Sequence, residues 1–179
     1  MQHKCKVTVI KKELYEDLQE KYLADPKAGA CPFYEVGQEF MFERYGKKDD
    51  FWTMGRGTQC SEAWDAISRY IYTALQGGSI MRNWTNNEKM MIACCNDGTR
   101  PVVFKIERID YKVLYVEGSK DEDYEKKITK ALMSVSNVLD VKFNHDDNYV
   151  EVIVEKDVFD DLLRQVVENC GEYHVTKID

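Results

Sequence analysis

Residues 111–179 read YKVLYVEGSKDEDYEKKITKALMSVSNVLDVKFNHDDNYVEVIVEKDVFDDLLRQVVENCGEYHVTKID, and the spacing of their apolar residues spells out six elements in turn. Lys112–Val116 predicts a strand, with Gly118 after it. Ile128, Ala131, Leu132 and Val135 follow at i, i+3, i+4 and i+7, which is one face of a helix. Val141–Phe143 is the next strand, His145–Asn148 a polar turn, and Tyr149–Glu155 a third strand. Asp157 opens a second helix whose apolar stripe is Phe159, Leu162, Leu163, Val166, Val167 and Cys170. Gly171 closes it before a last strand around Tyr173–Ile178. The order βαββαβ within 69 residues predicts a ferredoxin-like domain.

Upstream, residues 1–110 predict a small α+β domain of about four strands and two helices. Lys6–Ile10 alternates as a strand does. Residues 11–23 switch to helical spacing, with Leu14, Tyr15, Leu18 and Tyr22 on one face. Gly29-Ala30-Cys31-Pro32 reads as a loop, Gln38–Arg44 as a short strand, and Tyr45–Gln59 as a long polar loop. Ser61 is the expected N-cap of a helix running to about Gln76, with Trp64, Ile67, Ile71, Ala74 and Leu75 on its apolar face. That places Cys60 at a helix N-terminus. Residues 79–89 are loop. Met90–Cys95 and Pro101–Ile109 are strands joined through Asn96-Asp97-Gly98-Thr99, and Asp-Gly between apolar runs is a hairpin signal. The fold class is therefore α+β, with domains at 1–110 and 111–179.

The formal net charge of −7 is unevenly placed. Residues 1–110 hold 16 Lys/Arg and 16 Asp/Glu, whereas residues 111–179 hold 9 and 16. An acidic domain repels phosphate backbones and anionic membranes, which argues against both as partners. No apolar run is long enough to span a bilayer, and the N-terminus lacks an apolar signal core. The cytoplasm is the expected compartment, where the six cysteines stay reduced.

Residues 111–179 resemble the heavy-metal-associated domain of copper chaperones and metal-transport ATPases. Gly118, Ile128-Thr-Lys-Ala131-Leu132, Val138 before Val141, Val150/Val152/Val154 and Phe159…Leu162…Val166…Cys170-Gly171 carry the resemblance. It implies a Cys-x-x-Cys pair at positions held here by Asp121 and Tyr124. Soft Cu(I) asks for thiolates, which neither replaces, so the usual metal transfer is expected to be lost. The acidic run Asp121-Glu122-Asp123 offers a site for a hard cation or a basic partner. The plainer reading is a capping box from Ser119 to Glu122, with carboxylates favoured by the helix dipole. Residues 1–110 resemble a family of short, functionally uncharacterised prokaryotic proteins. That resemblance rests on Lys6-Val-Thr-Val, Gly29-x-Cys31-Pro32, Gly37-Gln38-x-Phe40, Ala63-Trp64-Asp65-x-Ile67 and Cys95-x-Asp97-Gly98-x-Arg100-Pro101-Val102-Val-Phe104-Lys105, and it implies no reaction.

Chemistry, if present, is expected among Cys31, Cys60, Cys94 and Cys95. Thiols from separate loops can converge on a Zn ion or an iron–sulfur cluster, although no Cys-x-x-Cys occurs and independently buried thiols are the simpler reading. Alternation puts Cys95 on the apolar face with Met91, Ala93, Val102 and Phe104, and Cys94 on the other with Ile92, Val103 and Lys105. Cys94 is then the accessible thiol, whereas the family resemblance favours Cys95. Cys60 gains the amides of a helix N-terminus. Asp97 and Arg100 flank the turn, where Asp97 serves turn chemistry and Arg100 is either an exposed charge or an anion-binding group facing the Cys31 loop.

The expectation is a cytoplasmic binding or interaction module without heavy-metal transfer, pairing through sheet edges as a homodimer, with an unidentified protein or small molecule as its other partner. The alternatives are a metal or thiol-redox protein built on the N-terminal cysteines, and an enzyme acting on a small anionic substrate.

Overall fold

Cys5, Val7 and Val9 point inward, while Lys4 and Lys6 reach across to Glu43 and Glu39 at 3.1 and 3.3 Å. That alternation builds the first strand, β1 (Gln2–Lys12), in a computed structural model that describes residues 1–44, 60–118 and 123–179. The remaining elements are α1 (Glu16–Tyr22), β2 (Glu39–Glu43), α2 (Ser61–Leu75), β3 (Met90–Cys94), β4 (Val102–Gly118), α3 (Tyr124–Met133), β5 (Val138–Asn144), β6 (Tyr149–Val154), α4 (Asp160–Glu168) and β7 (Tyr173–Ile178). The protein is mixed α+β, with seven strands hydrogen-bonded into an antiparallel sheet and four helices among the described residues. None of these helices is long and apolar enough to cross a membrane.

The chain divides into two compact units, His3–Ile109 and Asp110–Asp179 with Met1–Gln2. In the first, the strands run β2-β1-β4-β3, and β1 and β2 pair with Cys5 opposite Phe42. The core is Val7, Val9, Phe42, Phe104 and Ile106 on the sheet, with Ile67, Ile71, Ala74 and Leu75 from α2. In the second, the order is β7-β4-β6-β5, and α3 and α4 connect β4 to β5 and β6 to β7. Leu114, Ile128, Leu132, Val152, Leu163, Val167 and Val175 form its solvent-free centre. Burying each such side chain contributes about 1.5–3 kcal/mol of hydrophobic stabilisation.

The structure corrects several expected boundaries. The helix expected over 11–23 is only α1, because β1 runs on to Lys12 and the chain stays extended where the Glu13 N–H donates to the Pro101 carbonyl at 2.9 Å. Tertiary strand pairing overrides the local helical spacing, and Gln19 rather than Leu18 is the buried residue of α1. The two strands expected at Pro101–Ile109 and Lys112–Val116 are one, β4, for no Gly, Pro or Asn interrupts Val102–Glu117. The N-cap of α2 is Cys60, not Ser61. Helix α4 begins at Asp160 rather than Asp157, and Phe159 leaves the expected core stripe for solvent. The loop expected at Tyr45–Gln59 lies outside the described residues. So does the expected cap at Ser119–Glu122, although the described start of α3 has Asp123 as its N-cap.

Candidate functional site

Cys60 stands at the N-cap of α2 in extended conformation (φ −73°, ψ 128°), with its side chain making no capping hydrogen bond. Its backbone N–H donates to the Tyr34 hydroxyl at 3.1 Å. Tyr34 is only 4% exposed, its ring edge-on to Phe40 and Phe104 at centroid distances of 6.0 and 5.3 Å. Burial pushes the Tyr34 phenol's pKa above the ordinary value; the Cys60 N–H opposes the rise, and the nearby Cys60, Cys31 and Cys95 thiols add to it. Three of the four expected thiols therefore lie within electrostatic reach of one buried hydroxyl. All three are half-buried against the core of the first unit.

The fourth, Cys94, is not among the thiols that act on Tyr34. The β3–β4 register sets Ala93 opposite Phe104 and Cys94 opposite Val103 and stops there, with Cys95 just beyond the strand. Cys95 turns to the buried face, where its Sγ accepts the Val102 N–H at 3.3 Å. Cys94 is exposed, and partial desolvation, followed by its hydrogen-bonded neighbour Cys95, holds its thiol above the usual range. Among the described residues no group of three or more His, Cys, Asp or Glu is arranged to hold a metal ion. The thiols around Tyr34 share a neighbourhood without forming a coordination sphere.

Asp97 and Arg100 form a self-contained turn. Asp97 Oδ1 accepts from the Thr99 N–H at 2.9 Å, the Thr99 hydroxyl at 3.0 Å and the Arg100 N–H at 3.2 Å, while Oδ2 accepts from Arg100 Nε at 2.9 Å. Burial works against the Asp97 carboxylate, but these donors outweigh it and hold its pKa below the usual carboxylate value. Arg100 thus has an anion in its own turn.

Sequence reasoning missed Gln19 and Tyr34. Gln19, 1% exposed, donates from Nε2 to the Gly29 carbonyl and accepts the Gly29 N–H at Oε1, both at 3.0 Å; Nε2 also reaches the Thr99 hydroxyl at 3.5 Å. It ties the loop before Cys31 to the Asp97 turn. A polar residue in a mostly exposed helix and a tyrosine after a Cys-Pro-Phe run carry no local signal of either role.

In the second unit, Asp121 lies outside the described residues. Tyr124 opens α3 and is 8% exposed, edge-on to Phe143 and Tyr173 at 5.7 and 5.3 Å. Burial raises its phenol's pKa, with Tyr173 and Glu125 adding to the effect. At one of the two positions where the resemblance implies a metal cysteine, this chain places an aromatic core residue. Cys170, the one cysteine after residue 110, lies just beyond the C-terminal end of α4, its thiol donating to the Val167 carbonyl at 3.1 Å. No protein-family model matches the chain, and neither the curated proteins nor the solved structures include a significant match to it.

Proposed function

We propose that the protein is a cytoplasmic, non-catalytic binding module whose second unit is a ferredoxin-like scaffold without heavy-metal transfer activity. The observation that carries this reading is Tyr124, packed between Phe143 and Tyr173. The strand order β7-β4-β6-β5, with its two intervening helices, supports the ferredoxin-like assignment. Among the described residues β5 and β7 each pair on one side, leaving edges that a strand from a second copy or another protein can extend. The test is a competitive Cu(I) titration of the full chain carrying Cys5→Ala, Cys31→Ser, Cys60→Ser, Cys94→Ser and Cys95→Ser together. Cu(I) taken from a strong chelator by this variant would show metal held in the second unit and overturn the reading; the expected result is none.

A second reading rests on the thiols gathered around Tyr34: a thiol-reactive or redox function of the first unit. Alkylation of the native protein, followed residue by residue, tests it. Reaction of Cys31, Cys60 or Cys95 faster than exposed Cys94 supports it, and reaction of those three only on denaturation removes it.

A further inference from the structure

Cys94 and Cys95 are the only adjacent cysteines in the chain, and the first of them is exposed. Within a strand, neighbouring side chains aim at opposite faces. Cys95 lies one residue past the end of β3, which frees it from that rule, and the Cys94 thiol is hydrogen-bonded to it. Free thiols are among the most buried of side chains, so an exposed thiol in contact with a second one is not explained by packing.

The segment that carries the pair is fixed on both sides. On the strand side, Cys94 is paired with Val103. The Cys95 N–H donates to the Val102 carbonyl at 3.0 Å, and the Cys95 Sγ accepts the Val102 N–H at 3.3 Å. On the turn side, the Asn96 N–H donates to the Glu62 carbonyl at 3.3 Å and the Asn96 side-chain amide to Asp65 Oδ2 at 3.0 Å, which ties the chain to α2. The two sulfurs are therefore held side by side before any ligand arrives, and that placement lowers the ordering cost of a two-point attachment.

The ligand class follows from the number of sulfurs and their placement. Two thiols are soft donors, which selects a soft centre. Tetrahedral Zn asks for more ligands than two, and among the described residues no group of three or more His, Cys, Asp or Glu is arranged to hold a metal. A linear two-coordinate ion needs its sulfurs on opposite sides, which thiols in mutual contact do not offer. Pyramidal arsenic(III) bearing one organic group has two exchangeable positions and holds both sulfurs on one side of the atom. As the dihydroxide it is also neutral, so it asks for no compensating charge from the protein. We propose that Cys94 and Cys95 form a dithiol site for a mono-organic arsenic(III) species. Two As–O and two S–H bonds break, two As–S bonds form, and each hydroxide leaves with a thiol proton as water; arsenic and sulfur keep their oxidation states. The site belongs to the first unit and goes beyond the binding-module reading, which rests on Tyr124 in the second.

The probe is phenylarsine oxide, added in equimolar amount to the reduced full chain and followed by native mass spectrometry and by competition with small thiols. The inference expects one phenylarsenic group per chain, released by a small dithiol but not by a monothiol at the same thiol concentration. Cys94→Ser and Cys95→Ser should each weaken binding by about a hundredfold, because either change removes the intramolecular second attachment. Cys170→Ser should leave it unchanged. Because Cys94 is exposed, its serine variant should fold, and it decides the matter even where Cys95→Ser does not fold. Undiminished affinity in Cys94→Ser, a loss of the same size in Cys31→Ser or Cys60→Ser, release by the monothiol, or no adduct would each overturn the inference. Those outcomes leave the Cu(I) titration, and with it the binding-module reading, standing or falling separately.

Discussion

Tyr124 is a core aromatic at the start of α3. The resemblance casts this residue as a missing ligand; the structure gives it two edge-on aromatic neighbours and almost no solvent. Tyr124→Ala should cost about 3–5 kcal/mol in urea unfolding, as truncation of a buried aromatic does. Tyr124→Phe should stay within about 1.5 kcal/mol because the ring contacts survive. Equal losses in the two would show that the hydroxyl, not the ring, matters. Cys5 makes a different prediction. Burial, with Glu107 adding, drives its thiol pKa far up, so the folded state keeps a proton that the unfolded state releases above about pH 8.5. Its contribution is whole below that pH and declines above it. The stability gap between the wild type and Cys5→Ala should therefore narrow as pH rises past that value, measured by urea midpoints; a constant gap would contradict the buried-thiol account. Neither residue's role is visible locally, since a helix-start tyrosine and a strand cysteine read the same whether they face in or out.

Elements were more legible where the apolar period was unbroken. The helices and strands of residues 111–179 appear in the order the spacing predicts, and Cys94 is the exposed thiol of the Cys94–Cys95 pair, as alternation suggests. The failures have physical causes. Lys11 and Lys12 fit a helix by local period but are extended in β1, and β4 passes through the expected boundary at Asp110 because nothing in its sequence stops a strand. Phe159 fits the stripe of α4 by spacing, yet the helix starts only at Asp160, where Lys112 bonds the Val158 carbonyl and the Asp160 carboxylate, and the ring lies outside. What does end β4 is Gly118, whose φ is +140° and where an added Cβ would lie 2.4 Å from the Glu172 carbonyl oxygen. Gly118→Ala should cost about 1–3 kcal/mol, read from thermal unfolding. A neutral outcome would mean the β4–β7 pairing yields at that point.

For the whole molecule, charge and thiols separate by unit. The excess carboxylates fall in residues 111–179, which contain one cysteine, and the remaining five cysteines fall upstream. Residues 111–179 thus hold a single thiol, whereas Cu(I) asks for paired thiolates. The candidate site was only partly legible: the sequence nominated Cys31, Cys60, Cys94 and Cys95, Cys94 stands apart from the other three, and the buried hydroxyl near those three comes from a distant loop residue, Tyr34. The most direct measurement is a two-dimensional amide spectrum of the full chain as Cu(I) is added under anaerobic conditions. The binding-module account predicts that Gly118 and the first turn of α3, from Tyr124 to Ile128, keep their resonance positions throughout. Saturable, stoichiometric shifts in those residues would contradict it.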